Sequence, residues 1–386
     1  MRVLLDVSAV PSDPRGAGRY VSELARHLVA GATPDVEIVL LTRRDDAPRW
    51  RALGADAPDV GASVHAAVPG PRPVRLAWEQ VAGPRVARRL GIDVWHGPHY
   101  TVPLHCEVPR VVTVHDLTLL EHPEWHERPK AFYFGHMIPA AVARAAVSVC
   151  VSRHTAARLD AVVPITPGSP PREVVVIPHG VDHARFRPEP DSRADVAALE
   201  RVGVCAPYVA FLGTIEPRKD VPSLVRAFAS VAAEHPELRL VLAGGDGWHD
   251  GTVDAAIATS GAADRVVRTG YVSDDVVPAL LRRAAAVVYP SLEEGFGLPA
   301  LEALACGAPL VTTAGSSIQE FVGDAALLVP PGDTDALVVA LRRVLDPREG
   351  AALAARGPAQ AAPYTWRAAA ERHVEAYRRA AALRDG

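Results

Sequence analysis

Short apolar runs alternate with stretches of helical spacing along nearly the whole chain. The first run, RVLLDVS at 2–8, predicts a buried strand. The stretch 16–30 then places Tyr20, Leu24 and Leu28 at the spacing of an amphipathic helix. Further strands are predicted at VEIVLLT (36–42), DVWHGP (93–98), RVVTVHDL (110–117), AVSVCVS (146–152) and EVVVIPHGVD (173–182). Near-continuously apolar strands separated by helices indicate a parallel sheet covered on both faces.

The pattern stops and then restarts. Residues 183–195, HARFRPEPDSRAD, are polar and hold two prolines, so they predict a linker. Strands are predicted again at YVAFLG (208–213), LRLVLAGG (238–245), RVVRTGYV (265–272), AVVYPS (286–291), PLVTT (309–313) and AALLVPP (325–331), with helices between them and a final helix near the C-terminus. We therefore expect an α/β protein of two doubly wound domains, 1–185 and 195–364, facing each other across a cleft.

Composition fits this picture and excludes other classes. The 386 residues are 49 % hydrophobic and 22 % charged, enough for two ordinary cores. A net charge of −4 gives no electrostatic footprint for nucleic acid. The start of the chain lacks the apolar segment of a signal peptide, and no apolar run is long enough for a spanning helix. The cysteines are single and predict a reducing, cytoplasmic location: Cys106, Cys150, Cys205 and Cys306.

A pair of cations follows the first strand of the second half. The strand ends at Gly213, Arg218 and Lys219 stand side by side in the loop, and a helix begins near Pro222. Cations oppose the dipole at a helix start, so this placement is poor for stability alone. It suits a bound diphosphate, for which Arg offers a fork and Lys a point charge. The alternative is a pair of solvated surface cations.

The stretch SLEEGFGLPALEALACG, 291–307, places glutamates on both sides of a glycine turn. Gly297 allows a ligand to approach the backbone closely, and the helix after it offers free N–H groups to phosphate. Glu294 and Glu302 are eight residues apart, and a carboxylate accepts hydrogen bonds from hydroxyls. An anion site with two carboxylates favours a nucleotide sugar as ligand. Alternatively, Glu294 caps the helix and Glu302 lies on a solvated face.

Histidines supply two further candidates. His115 stands at the carboxyl end of a predicted strand with Asp116 beside it, where a binding group is expected, although a buried histidine with satisfied hydrogen bonds is the alternative. His96, His99 and His105 lie close together in sequence, but their spacing is loose and no acidic cluster joins them. We therefore predict no metal site there.

Ordered motifs along both halves resemble retaining glycosyltransferases of the GT-B fold, family 4. In the second half these are GTIEPRKD, VIPHGVD, LVLAGGDGW, TGYVSDD, EGFGLPALEA with its E-x7-E spacing, and GDAALLVPPGD. In the first half GAGRYVSELARHL, WEQ, HGPHYTVP, TVHDL and VSRHTAARL resemble the bacterial mannosyltransferase-type members. The resemblance covers nearly the whole chain. It implies two Rossmann-like domains, an acceptor domain over 1–185 with the helix 365–386 packing back on it, and a nucleotide-sugar domain over 195–364.

The resemblance also implies roles for individual residues. Arg218 and Lys219 match the pair that holds the donor diphosphate, and Glu302 matches the glutamate on the ribose hydroxyls. Glu294 and His115 match groups beside the donor sugar. On the donor side, Gly213 matches the end of the strand, Val272 matches the position at the base, and Phe296, Gly297 and Leu298 match the loop on the phosphates or sugar. On the acceptor side the matches are Gly16, Gly18 and Asp116, and Gly18 also faces the donor. One position departs, because His179 replaces the common Asn of IPNGVD.

The function implied by this resemblance is that of a cytoplasmic, metal-independent, retaining glycosyltransferase without cofactor. Such an enzyme moves a sugar from a nucleotide diphosphate sugar to a hydroxyl of a glycan, lipid-linked or small-molecule acceptor. The motifs of the first half favour GDP-mannose. Alternatives on the same scaffold are a nucleotide-sugar epimerase, a phosphorylase, or a non-catalytic nucleotide-sugar binding protein. A hydride-transfer enzyme ranks last, because GAGRYV lacks the third glycine of a dinucleotide fingerprint.

A basic segment raises the question of whether a membrane surface is a further partner. Residues 71–90 interleave arginines with Leu76, Trp78 and Val81. Such a pattern is typical of a helix lying on an anionic membrane surface, here the inner face of the membrane, or binding a lipid-phosphate acceptor. The alternative is an ordinary solvated helix.

Overall fold

The computed structural model describes residues 1–54, 61–164, 173–188, 193–245, 247 and 251–383. It divides into two compact units, the first formed by Met1–Glu124, Arg128–Gly180 and Thr365–Gly386, the second by Trp125–Glu127 and Val181–Tyr364. Two residues of the LVLAGGDGW motif, Asp246 and Trp248, lie outside the described residues, as do the last three of the predicted helix 365–386.

The first unit is built on a seven-stranded parallel sheet in the order β3-β2-β1-β4-β5-β6-β7. Its strands are β1 (Arg2–Asp6), β2 (Glu37–Arg43), β3 (Ala62–Val68), β4 (Val94–Gly97), β5 (Arg110–Val114), β6 (Val147–Cys150) and β7 (Glu173–Val176). Its helices are α1 (Ala17–Ala30), α2 (Ala47–Arg51), α3 (Arg72–Val81), α4 (Gly83–Arg89), α5 (Thr118–Glu121), α6 (Arg128–Arg144) and α7 (Arg153–Val162), and the C-terminal α16 (Trp366–Ala382) contacts α1.

The second unit holds a six-stranded parallel sheet in the order β10-β9-β8-β11-β12-β13. Its strands are β8 (Tyr208–Leu212), β9 (Arg239–Ala243), β10 (Val266–Gly270), β11 (Ala286–Tyr289), β12 (Leu310–Thr313) and β13 (Ala326–Val329). Its helices are α8 (Arg193–Glu200), α9 (Val221–Ala232), α10 (Thr252–Thr259), α11 (Val277–Arg282), α12 (Leu298–Ala305), α13 (Gln319–Val322), α14 (Thr334–Val344) and α15 (Pro347–Ala361).

Both sheets confirm the predicted fold class, because each is parallel and doubly wound. Central strands are covered on both faces, as the apolar runs predicted: Val3, Leu4 and Leu5 of β1 are fully buried. In each sheet the strand order reverses between two central neighbours, β1 and β4 in the first unit and β8 and β11 in the second. Loops that leave the carboxyl ends of two such strands diverge and form a binding crevice.

Of the predicted linker over 183–195, the structure describes 183–188 and 193–195, and 189–192 lie outside the described residues. Residues 181–188 belong to the second unit, where Val181 and Phe186 are buried and the Phe186 N–H donates to Asp182 O. Helix α8 already begins at Arg193. Two prolines and many polar residues suggested an exposed connection, but Phe186, in the described part of the predicted linker, is buried. Strand β3 was not predicted from the sequence, because only its two end residues are buried.

No helix within the described part of the chain is long and apolar enough to span a membrane.

Candidate active site

Strand order explains why two distant sequence segments meet in the second unit. Strands β8 and β11 are direct neighbours, with Val209 opposite Ala286. The loop after β8 carries Arg218 and Lys219 in a turn of 3₁₀ helix, and the loop after β11 carries Glu294. The Leu292 N–H donates to Arg218 O at 2.8 Å, so the backbones of the two loops are joined.

A buried ion cluster forms where these loops meet. Arg218 Nη1 donates to Glu294 Oε2 at 2.8 Å, and Lys219 Nζ donates to Glu294 Oε1. Arg218 Nη2 also pairs with Glu216 Oε1 at 2.6 Å. Lys219 and Glu294 are 8 % and 6 % exposed, so the alternative of two solvated surface cations fails for Lys219. Two cations and two carboxylates leave the cluster formally neutral.

The cluster shifts the acidity of its members. Burial raises the pKa of the Glu294 carboxyl, but the charges of Lys219 and Arg218 outweigh burial and bring that pKa to about 2. Burial, with the neighbouring charge of Arg218, lowers the pKa of Lys219, and the Glu294 carboxylate opposes that shift. Glu294 is therefore ionised at neutral pH. Glu294 is not the N-cap of α12, because Gly297 occupies that position.

Hydroxyl groups from three segments hold Glu294 in place. Ser291 Oγ donates to Glu294 Oε1 at 2.9 Å, and Ser317 Oγ donates to the Glu294 backbone carbonyl at 2.7 Å. Thr313 Oγ1, at the end of β12, donates to Ser291 O at 2.6 Å. These serines and the threonine are all buried. Such hydrogen bonds fix one orientation of the carboxylate before any ligand arrives.

Backbone conformation around the cluster is unusual at two positions. Gly297, directly before α12, has a φ of +95°, and a Cβ there would lie 2.5 Å from Ile318 Cγ1. Only glycine satisfies both constraints. Asp220, directly after Lys219, adopts the left-handed conformation with a φ of 45°. Strained non-glycine residues concentrate at functional sites, where neighbouring structure maintains them.

Other predicted donor residues lie on the same unit. Glu302 is buried on α12, which contradicts a solvated face, and Leu298 is buried as the first residue of that helix. Phe296 is buried, and its ring packs 5.2 Å from the ring of Phe321. Val272 is buried shortly after β10. Gly213 closes β8, and its carbonyl oxygen would lie 2.0 Å from a Cβ at Gly244, so two backbones touch there.

His115 belongs to the first unit and follows β5. Its Nε2 lies 2.8 Å from Pro98 O, and because a carbonyl only accepts, Nε2 carries the proton. Burial lowers the pKa of His115, opposed by the Pro98 hydrogen bond and by the charge of Asp116. The ring is therefore neutral at pH 7, and Nδ1 holds the lone pair. Tyr100, with a φ of 66°, packs edge-on at 5.4 Å.

The residues predicted on the acceptor side also lie in the first unit. Gly16 precedes α1 with a φ of 47°, and a Cβ at Gly18 would lie 3.3 Å from Pro11 and Pro14. Asp116 Oδ1 accepts from Thr118 N and Oγ1 at 3.1 and 2.8 Å. Asp116 thus organises the start of α5.

His179 and His96 of the first unit have structural partners. His179, at the position of the common Asn, is stacked on Trp366 at 5.7 Å and lies 4.6 Å from the ring of Tyr20. Both ring nitrogens of His96 are hydrogen-bonded, to Tyr377 and Thr113. Across the described residues there is no group of three or more His, Cys, Asp or Glu side chains placed to share a metal ion.

Sequence reasoning missed several polar residues of these sites. Glu216, Ser291 and Ser317 surround the cations and Glu294, and nothing in their spacing distinguishes them from loop residues. Tyr20 was predicted only as part of an apolar helix face. Its hydroxyl was the available signal, because a buried tyrosine requires a hydrogen-bond partner. Glu79, inside the WEQ motif, is 7 % exposed, and the signal there was a carboxylate on the covered side of a helix.

Solved structures share this architecture. A sucrose-phosphate synthase from Thermosynechococcus elongatus superposes with a TM-score of 0.75 at 21 % identity, covering 99 % of both chains. HepE of Anabaena, solved in complex with UDP and glucose, superposes with a TM-score of 0.74 at 19 % identity, covering 97 % of this chain and 99 % of that one. Together with the two parallel sheets, these matches define the GT-B fold.

Sequence comparison identifies the family. The model of Glycosyltransferase Family 4 matches residues 14–185, and that of Glycosyl transferases group 1 matches residues 206–347. A D-inositol 3-phosphate glycosyltransferase of Acidothermus cellulolyticus is 30 % identical over 404 residues, covering 96 % of this chain and 87 % of the relative. The O-antigen chain mannosyltransferase B of Escherichia coli is 29 % identical over 288 residues, covering 74 % of each. The chain belongs to glycosyltransferase family 4.

Family membership settles the class of reaction. The chain is a glycosyltransferase that uses a nucleotide sugar, and the matches do not favour an epimerase, a phosphorylase or a non-catalytic binding protein.

Proposed function

We propose that the protein is a retaining, metal-independent glycosyltransferase that moves mannose from GDP-mannose to an acceptor hydroxyl. The observation that carries this proposal is the buried cluster of Arg218, Lys219 and Glu294. Two cations that converge on one carboxylate, in loops at a strand-order reversal, form a site for an anionic ligand with hydroxyl groups. The diphosphate and the sugar of the donor meet both requirements.

When the donor binds, Arg218 and Lys219 transfer hydrogen bonds from the Glu294 carboxylate to the donor diphosphate. The diphosphate takes hydrogen bonds from Arg218 and Lys219, assisted by N–H groups at the start of α12. The Glu294 carboxylate, relieved of one or both cations, then accepts hydrogen bonds from hydroxyls of the sugar. Ser291 and Ser317 keep the carboxylate near its starting position during this exchange. Glu302 binds the ribose hydroxyls, and Val272 lies by the base.

Transfer then proceeds with retention at the anomeric carbon. The acceptor oxygen forms a bond to that carbon on the face from which the diphosphate leaves. The bond to the phosphate oxygen breaks with both electrons on the diphosphate, and this oxygen takes the proton of the acceptor hydroxyl. Arg218 and Lys219 stabilise the charge that grows on the leaving group, in the place of a metal ion. His115 Nδ1 accepts a hydrogen bond from a sugar hydroxyl, with Nε2 held by Pro98 O.

Mannose is proposed on the motifs of the first half and on the names of relatives. Escherichia coli O-antigen chain mannosyltransferase B and an MMP alpha-(1->4)-mannosyltransferase of Mycolicibacterium hassiacum are both similar to this chain. The UDP and glucose bound to HepE make UDP-glucose the competing donor. The acceptor is a hydroxyl on a glycan, a lipid-linked molecule or a small molecule, bound by loops of the first unit that include Gly16, Gly18 and Asp116.

A donor panel tests this function directly. Purified protein is mixed with GDP-mannose, UDP-glucose and other nucleotide sugars in EDTA, and binding and release of the nucleoside diphosphate are measured. We expect saturable binding of GDP-mannose and slow hydrolysis that EDTA does not inhibit. Hydrolysis restored only by Mg²⁺ or Mn²⁺ contradicts metal independence, and binding of UDP-glucose alone corrects the sugar. With an acceptor in hand, the anomeric configuration of the product, read by NMR, decides between retention and inversion.

Variants of the cluster test the mechanism. Lys219→Ala is expected to lower turnover by about a hundredfold or more, because one leaving-group contact is lost. Arg226→Ala, which removes another cation of the second unit from α9, is the matched control. Near-normal turnover in Lys219→Ala and Glu294→Ala, with the fold intact, eliminates the mechanism.

We further propose peripheral contact with the inner, anionic face of the cytoplasmic membrane, at the surface of α3 and α4. Val74 and Val81 of α3 are 52 % and 64 % exposed, with exposed arginines nearby in sequence at 72, 85, 88 and 89. Leu76 and Trp78 are partly covered instead, and Trp78 packs on the core. Co-sedimentation with phosphatidylglycerol vesicles, but not with phosphatidylcholine vesicles, is the expected result, lost in Arg85→Glu/Arg89→Glu. Failure to sediment with either kind of vesicle contradicts the proposal.

A further inference from the structure

A continuous chain of five buried side chains crosses the core of the first unit, and it begins and ends on the C-terminal helix α16. Tyr377 OH lies 2.8 Å from His96 Nδ1, and His96 Nε2 lies 2.9 Å from Thr113 Oγ1. Thr113 Oγ1 lies 3.0 Å from Tyr20 OH, which lies 2.8 Å from His373 Nε2. All five residues are at most 1 % exposed. We call this chain the Tyr20 circuit.

His373, at one end of the circuit, determines the position of every proton in it. His373 Nδ1 lies 2.7 Å from the carbonyl oxygen of Ala369, which only accepts, so Nδ1 carries the proton. Burial lowers the pKa of His373 to about 4, so its ring is neutral and Nε2 must accept from Tyr20. With the Tyr20 proton committed, Thr113 donates to Tyr20.

The same reasoning continues to the other end. Because Thr113 has spent its only proton on Tyr20, His96 Nε2 donates to Thr113. Burial also lowers the pKa of His96 well below its ordinary value, so His96 is neutral and Nδ1 accepts from Tyr377. Each hydroxyl in the interior of the circuit is used once as donor and once as acceptor. A fully satisfied buried network of this kind has one arrangement and holds its members rigidly.

Tyr20 carries this rigidity to the predicted sugar-binding histidine. Its ring packs edge-on against His115, with centroids 4.9 Å apart and an interplanar angle of 80°. Pro98 O fixes only the Nε2 atom of His115 and leaves rotation about that hydrogen bond. Tyr20 and Tyr100 pack edge-on against the ring, and the rings of His99 and His179 lie 5.9 and 6.0 Å from it. Tyr20 is the nearest of these four rings, so the direction of the Nδ1 lone pair depends on where the Tyr20 ring stands.

We propose that Tyr20 is a positioning residue for His115, held in place by the hydrogen bonds of its hydroxyl to Thr113 on β5 and His373 on α16. The inference rests on the role proposed above for His115 at the donor sugar. Tyr20 touches no substrate in this proposal. Its hydroxyl is anchored by Thr113 and His373, and its ring fixes the plane of the imidazole.

Tyr377 supplies a matched control for the test. Tyr20→Phe and Tyr377→Phe each remove one buried hydroxyl that donates to a histidine nitrogen of the circuit. A buried donor lost in this way costs stability to a similar degree in both variants. Of these two tyrosines, Tyr20 contacts the ring of His115, whereas Tyr377 contacts the rings of His96 and His373. A purely structural role therefore predicts equal effects on activity, whereas positioning predicts a difference.

The first measurement needs no substrate. Long-range ¹H–¹⁵N spectra of the imidazoles in the ligand-free protein report the tautomer of each histidine. We expect the Nε2–H tautomer for His115 in the wild type and in Tyr377→Phe. In Tyr20→Phe we expect shifted or averaged His115 signals. If those signals match the wild type, the positioning role is overturned, whatever the activity.

The second measurement follows turnover of GDP-mannose and UDP-glucose. We expect Tyr20→Phe to lower kcat about tenfold with donor KM within about twofold, and Tyr377→Phe to change neither by more than about threefold. In a His115→Ala background, Tyr20→Phe should have no further effect on kcat. Equal losses in the two tyrosine variants overturn the proposal. Shifted His115 signals with unchanged kcat in both Tyr20→Phe and His115→Ala contradict instead the proposed role of His115.

Discussion

Glu294 and Lys219 form a direct ion pair in the second unit, and Arg218 binds the other oxygen of the same carboxylate. The glutamate that resembles the family's sugar-side group is therefore also the counterion of the predicted diphosphate pair. Neither charge is solvated, because Glu294 and Lys219 are both buried. In this buried cluster an incoming anion and the Glu294 carboxylate oppose each other, because they compete for the same two cations.

This opposition predicts that Glu294→Gln separates binding from transfer. The amide keeps the size of the side chain but leaves Lys219 without its negative partner, so a diphosphate gains more by binding. We expect the Kd of GDP or UDP to fall about fivefold while turnover falls about a hundredfold. Calorimetric titration and product release measure the two quantities.

Glu293→Gln is the control, because it removes a negative charge one residue away. Long-range electrostatics alone would give both variants the same gain in nucleotide affinity. A higher Kd for GDP or UDP in Glu294→Gln contradicts the proposal that the diphosphate and the Glu294 carboxylate compete for the two cations.

The turn before α12 predicts a second effect. Gly297→Ala introduces both a strained φ and a Cβ 2.5 Å from Ile318 Cγ1, whereas Gly315→Ala, with a φ of +78° and open space, introduces strain alone. We expect losses of about 3 kcal/mol and about 1 kcal/mol in the free energy of unfolding. Denaturant titration measures both. In the double variant Gly297→Ala/Ile318→Ala the cost should be smaller than the sum of the single costs, and strict additivity argues against the clash.

Sequence patterns predicted the strands and the loops that carry these sites, but they did not predict the contacts between the side chains. Apolar runs predicted the central strands, because both faces of a parallel sheet are covered. Loops at strand ends then directed attention to Arg218 and Glu294. That these two side chains are paired depends on β8 lying next to β11, and the tertiary arrangement decides this neighbourhood. The Tyr20 circuit depends likewise on where α16 packs, because its hydrogen bond from Tyr20 to His373 joins positions 353 residues apart.

A buried ion pair on α8 predicts a third effect, since Asp195, the last residue of the predicted linker, is 5 % exposed. Arg282 of α11 binds it with two hydrogen bonds, Nε to Oδ2 at 2.8 Å and Nη2 to Oδ1 at 2.5 Å. Arg282→Lys loses this planar fork and should cost about 1–2 kcal/mol, and Asp195→Asn about 3 kcal/mol because a buried cation loses its partner. Arg201→Lys, from the exposed pair with Asp275, should cost less than about 0.5 kcal/mol. Equal thermal shifts in Arg282→Lys and Arg201→Lys contradict this assignment.

A buried carboxyl in the first unit predicts how stability changes with pH. Burial and the charge of Asp6 raise the pKa of Glu79 to about 8, against hydrogen bonding from Thr101 and the charge of Arg75. The unfolded chain releases this proton near the ordinary value of 4.5, whereas the folded chain keeps it up to about 8. Stability from this group therefore falls as pH rises from 4.5 to about 8 and levels off above that range.

Glu79→Gln removes this dependence, because an amide does not titrate. The amide oxygen can accept from Gln80 Nε2 as the Glu79 carboxyl does, and the Thr101 hydroxyl, which donates to Glu79, can rotate to accept from the amide NH₂. We expect the difference in Tm between the variant and the wild type to increase by about 3–6 °C, in favour of the variant, from pH 5 to pH 9. The exposed Glu107→Gln corrects for the loss of one negative charge. A difference in Tm between Glu79→Gln and the wild type that stays constant across this range shows that Glu79 is already ionised in the folded protein. The WEQ motif would then contribute a buried anion, balanced by Arg75, in place of a neutral hydrogen-bonding group.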